Sequence, residues 1–132
     1  MHRRIPALAL IAALVLTACG GTAVEPRLET VDAATFAGAI DGGNGLVIVD
    51  LRTPVEFAAG HIPGAINLDY YETSFRTRLD ALDKDAPYAV YCRSGNRSTD
   101  TLQIMTDLGF TDVRELGGGI ITWVEAGLPL GY

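Results

Sequence analysis

The chain has 132 residues, of which 10 are basic and 16 acidic, so its formal net charge at pH 7 is −6. An acidic balance argues against nucleic acid as a partner and against electrostatic attraction to anionic lipid. Two cysteines and two histidines, far apart in the sequence, do not make a metal-ligand cluster. No glycine-rich dinucleotide fingerprint opens a helix in the required way. We therefore expect neither a metal nor an organic cofactor.

The first 18 residues have the order of a secretory signal. A basic start with Arg3 and Arg4 is followed by the apolar run 5–16 and then by small residues. The apolar run is too short to span a bilayer comfortably. We therefore predict that residues 1–18 are an export signal. Because both arginines would leave with it, the mature part would carry a formal charge of −8.

The end of this signal, Leu16-Thr17-Ala18-Cys19, resembles the lipobox of bacterial lipoproteins. The resemblance implies that Cys19 is lipidated, with palmitate among its acyl chains, and becomes the first mature residue. Two acyl chains are enough for stable anchoring. The alternative is ordinary cleavage near Ala18, which leaves a free Cys19. On the lipoprotein interpretation, residues 19–28 are a lipidated tether and residues 29–132 are one domain. The protein would then be held on the extracytoplasmic or periplasmic face of a bacterial membrane.

Beyond the tether, helical and strand patterns alternate. The predicted helices are 32–40, 54–59, 71–82, 96–108 and 120–125, and the predicted strands are 46–49, 65–68, 88–91 and 111–116. Asp32 is a candidate N-cap, and Gly109 has the place of a helix C′ residue. The continuous apolar run 46–49 is typical of a parallel strand buried on both faces. The alternation predicts an α/β fold, with helices on both faces of a central, mainly parallel sheet.

Cys92 lies where the predicted strand 88–91 ends and a polar loop leads into the helix 96–108. Loop amides and the helix N-terminus direct partial positive charge at the sulfur, and Arg93 and Arg97 add full charges. Such surroundings favour the thiolate, the reactive form of cysteine, and hold an anionic group bound to it. The alternative is an inert, buried thiol. A disulfide with Cys19 is open only if lipidation fails.

Three segments resemble the rhodanese family, in the order in which that family has them. They are the first signature at 50–65 (DLRTPVEFAAGHIPGA), the active-site loop at 92–98 (CRSGNRS), and the closing segment at 116–119 (LGGG) with Trp123 and 127–129. The resemblance spans about residues 32–130. It implies a single rhodanese domain, a rhodanese-like fold and sulfurtransferase activity.

The expected mechanism has two covalent states. The Cys92 thiolate takes a sulfane sulfur from a donor and holds it as a persulfide, and an acceptor then removes the outer sulfur, as in ping-pong catalysis. Amides of the loop would form an anion cradle around that sulfur, with Gly95 allowing the backbone to curl. The candidate substrate-binding residues are Arg93, Ser94, Gly95, Asn96, Arg97 and Ser98.

Individual roles within this loop differ. Arg97 is expected to face the bound anion, as in family loops of this form, whereas Arg93 faces either the anion or solvent. The hydroxyls of Ser94 and Ser98 can hydrogen-bond to the persulfide, and the alternative for each is a loop residue or helix cap. Asn96 is expected to act chiefly as a helix N-cap.

The first signature is expected to be structural, and the alternative for its residues Asp50 and Arg52 is steering of the substrate. Arg52 follows the strand 46–49 closely, and it could pair with Glu56 to organise the loop. His61 belongs to a structural motif of the family, so we assign it no catalytic role. Trp123 is expected in the core or in a pocket wall.

The predicted donor is thiosulfate, because two arginines suit a small dianion, and a persulfide is a second candidate. The predicted acceptor is a thiol, cyanide or a partner protein. A second hypothesis is a sulfur carrier or protein-binding module with little turnover of small molecules. A weaker one is a cysteine-dependent phosphatase or arsenate reductase. Such phosphatases have five residues between cysteine and arginine, whereas four, 93–96, separate Cys92 from Arg97 here.

Overall fold

The computed structural model describes residues 20, 21 and 23–132, so the predicted signal 1–18 and the predicted lipidation site Cys19 lie outside the described residues. Within the described part, strands and helices alternate in the order β1 Arg27–Val31, α1 Ala33–Asp41, β2 Val47–Asp50, α2 Pro54–Ala58, β3 Ile66–Asn67, α3 Phe75–Asp80, β4 Tyr88–Tyr91, α4 Asn96–Leu108, β5 Asp112–Leu116 and α5 Gly119–Glu125. None of the helices in this part has the length and apolar character needed to cross a membrane.

The strands form one parallel sheet in the order β1-β5-β4-β2-β3. Parallel neighbours need crossover connections, and the helices supply them. Side chains of β4 alternate between two apolar cores. Tyr88 and Val90 pack with α3 and α4 on one face, whereas Ala89 and Tyr91 pack with α1 and α5 on the other. The predicted α/β fold, with helices on both faces of the sheet, is therefore confirmed.

The predicted elements are all present, with some ends shifted. Helix α4 has its predicted bounds, and Asp32 caps α1 by accepting a hydrogen bond of 2.8 Å from the Thr35 amide. Helix α3 is shorter than predicted, because a turn replaces its expected first residues. The Asp69 carboxylate accepts a hydrogen bond from the Tyr71 amide at 3.0 Å and thereby stabilises that turn.

Strand β1 is not among the elements that the sequence predicts. It pairs with β5 from Arg27 beside Asp112 to Val31 beside Leu116, at one edge of the sheet. Its sequence, RLETV, has no apolar run, since an edge strand buries only part of its surface. The predicted boundary between tether and domain, at residues 28 and 29, falls inside this strand.

A buried ion pair holds the end of β2. Arg52 Nη2 lies 2.7 Å from Asp50 Oδ2 and donates a second hydrogen bond, also 2.7 Å, to the Gly60 carbonyl. The Tyr91 hydroxyl donates to the same carboxylate at 2.6 Å, and burial together with the Asp50 charge raises the pKa of Tyr91. The predicted pairing of Arg52 with Glu56 is wrong, because the fully buried Asp50 needs this cation as its partner.

Candidate active site

Cys92 directly follows β4, the central strand of the sheet. In open α/β sheets, ligands bind outside the carboxyl ends of the strands, and this is where the thiol lies. Its side chain is buried, with 1% of the residue exposed. Within the described residues it is a free thiol.

The loop after Cys92 curls back over the sulfur. The Gly95 amide donates to Cys92 Sγ at 3.1 Å, and Ser98 Oγ lies 3.4 Å from the same atom. Gly95 has a φ of 105°, a conformation that side chains rarely adopt, and this turn is what aims its amide at the sulfur. The backbone amide of the N-cap residue of a 13-residue helix therefore faces Cys92.

The expectation that Asn96 caps α4 is wrong. Gly95 occupies the N-cap position, and Asn96 is the first helical residue. The reason is that Gly95 takes the left-handed turn that ends the loop, so the helix starts one residue later than a cap at Asn96 requires. The side chains of Asn96 and Ser94 are exposed.

Arg97 binds Glu56 rather than presenting its donors to open space. Its Nη1 and Nη2 atoms donate to Glu56 Oε2 and Oε1, each at 2.9 Å, in a bidentate pair that joins α4 to α2. The hydrogen bonds from Arg97 lower the pKa of Glu56 to about 2, and the same carboxylate raises the pKa of Arg97. The predicted role of Arg97 as the anion contact stays a prediction.

Arg93 is the second arginine of the loop, and its guanidinium group has no acidic partner among the described residues. The residue is exposed. A cavity of about 410 Å³ lies between α2 and α5 and is lined by Arg93 together with Ile120, Ile121 and Val124. That volume lies in the range of small-molecule binding sites.

The N-terminus of helix α5 forms hydrogen bonds to the backbone of the loop after Cys92. The amides of Ile120 and Ile121 donate to the carbonyls of Cys92 and Arg93, at 2.9 and 3.3 Å. Gly119 has a φ of 67°, and a Cβ there would overlap the Arg93 carbonyl. Gly119, the first residue of α5, thus lets that helix approach the loop after Cys92 closely.

Glu115 is the residue at this site that the sequence analysis missed. It is fully buried at the end of β5, and its Oε1 accepts hydrogen bonds from Ser98 Oγ at 2.6 Å and from Thr99 Oγ1 at 3.2 Å. Thr30 of β1 donates to its other oxygen. The sequence offers one signal, which is a carboxylate at the carboxyl end of a predicted parallel strand, where such sheets place their sites.

His61 and Trp123 have structural surroundings. The His61 ring stacks on Phe57, with the centroids 3.8 Å apart, and its Nδ1 lies 2.9 Å from the Phe57 carbonyl. Trp123 is buried and packs edge-on against Phe36, while its Nε1 donates to the Pro129 carbonyl at 2.8 Å. The expectation that Trp123 lies in the core is confirmed.

A buried thiol that follows the central parallel strand and accepts a hydrogen bond from the amide of a helix N-cap residue is an arrangement typical of α/β domains with a functional cysteine. Comparison with known families makes this specific. The family model for the rhodanese-like domain matches residues 32–126, and the chain belongs to the rhodanese family.

Relatives of known name agree with this assignment. A sulfurtransferase of Allochromatium vinosum is 34% identical over 103 residues, which cover 78% of this chain and 94% of that protein. The thiosulfate sulfurtransferase GlpE of Ectopseudomonas mendocina is 40% identical over 80 residues, covering 61% of this chain and 72% of GlpE. A rhodanese-related protein of Thermoplasma volcanium superposes with a TM-score of 0.69 at 30% identity, covering 78% and 97% of the two chains. The fold is thus rhodanese-like, and the Allochromatium and Ectopseudomonas relatives are named as sulfurtransferases.

Proposed function

We propose that this protein is a sulfurtransferase that carries a sulfane sulfur as a persulfide on Cys92. The observation that supports the proposal best is the Gly95 amide, which donates to Cys92 Sγ at 3.1 Å from the N-cap of α4. A thiolate needs such donors, and so does the persulfide anion that replaces it.

In the first half of the reaction, the Cys92 thiolate attacks the outer sulfur of the donor. With thiosulfate, a new S–S bond forms to Cys92, the S–S bond of the donor breaks, and sulfite leaves with the electron pair. In the second half, an acceptor thiolate or cyanide attacks the outer sulfur of the persulfide, and Cys92 leaves as a thiolate. Both halves place negative charge where the Gly95 amide and the N-terminus of α4 point.

The charges of the site fit a small anionic donor. Arg93 is exposed in the loop and forms no ion pair within the described residues, which suits a dianion such as thiosulfate or the singly charged terminal sulfur of a persulfide. The cavity of about 410 Å³ next to Arg93 leaves room for an acceptor larger than cyanide, such as an organic thiol or a segment of a partner protein. We propose thiosulfate as the assay donor and a thiol as the natural class of acceptor.

The test is thiocyanate formation from thiosulfate and cyanide by the purified full-length protein. Cys92→Ala removes the proposed nucleophile, and Cys19→Ala is the matched control because it removes the other of the two cysteines. We expect turnover in the wild type and in Cys19→Ala, and none in Cys92→Ala. Turnover that survives in Cys92→Ala contradicts the proposal.

If there is no turnover, the intact mass after incubation with thiosulfate distinguishes a sulfur carrier from an inactive domain with the same fold. A sulfur adduct on Cys92 without turnover indicates a carrier that serves a specific partner protein. An unmodified protein without turnover means that the fold is present but the activity is not. Hydrolysis of an aryl phosphate would favour the phosphatase hypothesis instead, and reduction of arsenate would favour the arsenate reductase hypothesis.

We also propose that the protein is exported and anchored through lipid on Cys19, on the basis of the order of residues 1–19. Labelling of cells with radioactive palmitate tests this. We expect label in the wild type and in Cys92→Ala but not in Cys19→Ala, and wild-type protein in the membrane fraction. Unlabelled wild-type protein, or a Cys19→Ala variant that is labelled and membrane-bound as before, contradicts the anchor.

A further inference from the structure

The cavity between α2 and α5 has an apolar wall that small anions would not use. Ile120, Ile121 and Val124 line it from α5, and Ala59 lines it at the end of α2. Val124 is 51% exposed although its side chain is aliphatic. Thiosulfate and cyanide are small polar ions, so neither would cover this wall. An exposed apolar wall in a cavity of about 410 Å³ is typical of a site for a ligand with an apolar part.

This wall begins next to the reactive cysteine. Arg93 lines the same cavity and directly follows Cys92 in the chain. The Ile120 amide donates to the Cys92 carbonyl at 2.9 Å, and the Ile121 amide donates to the Arg93 carbonyl at 3.3 Å. These hydrogen bonds hold the first turn of α5 against the loop after Cys92. A ligand on the apolar wall would therefore lie beside the residue that carries the persulfide.

The charged residues of the cavity favour one orientation of such a ligand. Two of them, Arg52 and Glu56, already form ion pairs with residues outside the cavity. Arg93 and Glu125 form none within the described residues. Glu125 is the last residue of α5, whereas Arg93 is hydrogen-bonded to the first turn of that helix. A thiolate would therefore be attracted to the Arg93 end, and its hydrocarbon chain would lie along α5.

The spacing of the aliphatic residues along α5 sets the length of that chain. Ile120 and Val124 are four residues apart, so they lie on one face of the helix. At a rise of about 1.5 Å per residue, they are about 6 Å apart along the axis, which an extended chain of about five carbons spans. The charged Glu125 follows Val124 and ends the apolar wall.

We propose that the sulfur acceptor is a small apolar thiol, with a hydrocarbon chain of about four to six carbons that binds along Ile120, Ile121 and Val124; the inference rests on the proposed function. The acceptor thiolate attacks the outer sulfur of the Cys92 persulfide. A new S–S bond forms to that sulfur, the S–S bond to Cys92 breaks, and Cys92 leaves with the electron pair as a thiolate. The product is an alkyl persulfide, and the step consumes no oxidant or reductant.

The test is the rate at which alkanethiols return the sulfur-loaded full-length protein to its unloaded mass. The protein is loaded with thiosulfate, separated from it, and mixed with ethanethiol, butanethiol, pentanethiol or heptanethiol at one subsaturating concentration. These thiols share one reacting group, so differences in rate report binding of the chain. We expect the second-order rate constant to rise about two- to fourfold per added methylene group up to pentanethiol, and to level off at heptanethiol.

Val124→Ser tests the wall itself, and it should fold because Val124 is half exposed. We compare the preference for pentanethiol over ethanethiol, with each rate divided by the cyanide rate of the same variant. Val124→Ser should reduce this preference by about threefold or more. The matched control is Val24→Ser, which removes a valine that is 91% exposed and precedes β1, at the opposite end of the parallel sheet from Cys92. It should keep the preference of the wild type.

Equal or undetectable rates with the four alkanethiols in the wild type overturn the inference, whether or not the variants fold. The same conclusion follows if Val124→Ser and Val24→Ser have equal preferences. In both cases, unloading by cyanide keeps the proposed function and removes only the apolar acceptor. A protein that thiosulfate does not load overturns the proposed function and the inference with it.

Discussion

The bidentate pair between Glu56 and Arg97 should make an acid-sensitive contribution to stability. It joins α2, from the first signature, to α4, which begins at the loop after Cys92. The substitution Glu56→Gln removes the negative charge while keeping the shape of the side chain. The amide can still accept a hydrogen bond from the Thr53 backbone at the start of α2, as the carboxylate does at 2.9 Å. The variant therefore tests the charge of the pair rather than the helix cap.

The magnitude follows from the pKa of Glu56, which Arg97 lowers from an ordinary 4.5 to about 2. If that shift were wholly lost on unfolding, it would correspond to about 3 kcal/mol. The side chains of Arg97 and Glu56 are 14% and 28% exposed, so solvent screens part of their attraction. We expect Glu56→Gln to lower the free energy of unfolding by about 1–2 kcal/mol, and the Tm by about 5–10 °C in a domain of this size.

The pH dependence has a definite sign. Because the folded-state pKa of Glu56 lies below the unfolded value, the stabilisation is fully present above pH 4.5 and is lost as the pH falls towards 2. Urea unfolding can be followed by the fluorescence of Trp123, the single tryptophan, which is buried. The difference between wild type and Glu56→Gln should be constant from pH 7 to about pH 5 and should shrink below that.

The control is Glu125→Gln, which removes the same charge from an exposed residue without an ion pair in the described chain. It should change the unfolding free energy by less than about 0.5 kcal/mol. The reasoning is refuted if Glu56→Gln is as stable as the wild type at pH 7. It is also refuted if the difference persists unchanged at pH 2, because Glu56 is then protonated in the unfolded state and about half protonated in the folded state, so most of the contribution of its charge is lost.

Two further substitutions test the loop. Arg93→Ala should raise the KM for thiosulfate about fivefold with little change in kcat, since an exposed charge contact is worth about 1 kcal/mol. The control is Arg76→Ala, which removes another exposed arginine. Equal KM values for the two variants would show that Arg93 does not bind the donor. Gly119→Ala should destabilise the protein by about 2 kcal/mol or more and abolish most turnover, because its Cβ overlaps the Arg93 carbonyl at a φ of 67°. Gly38→Ala, in open space on α1, should be neutral or stabilising in the same unfolding assay. A Gly119→Ala protein of wild-type stability and turnover would contradict the close packing of α5 on the loop.

From α1 onwards, the order of the elements and the place of Cys92 after a strand could be read from the sequence. Apolar runs such as 46–49 and 88–91 mark buried parallel strands, because a strand covered on both faces leaves no room for polar side chains. Cys92 stands out because a strand, a polar loop and a helix follow one another there within a few residues. These patterns lie within short stretches of the sequence, so they can be recognised without knowing the fold.

What only the tertiary structure decided is which distant residues meet. Edge strand β1 has no apolar run, and it becomes a strand because β5 offers a row of free backbone groups. The sequence does not say which carboxylate pairs with Arg97. The fold brings α2 beside α4, so the partner is Glu56, 41 residues away in the sequence. In the sequence, nothing distinguishes Glu115 from the other acidic residues. In the fold it is buried on β5, where it accepts a hydrogen bond from Ser98 Oγ, and the same hydroxyl lies 3.4 Å from Cys92 Sγ. Hydrogen bonds and ion pairs act over about 3 Å, and the sequence alone does not say which side chains the fold brings within that distance.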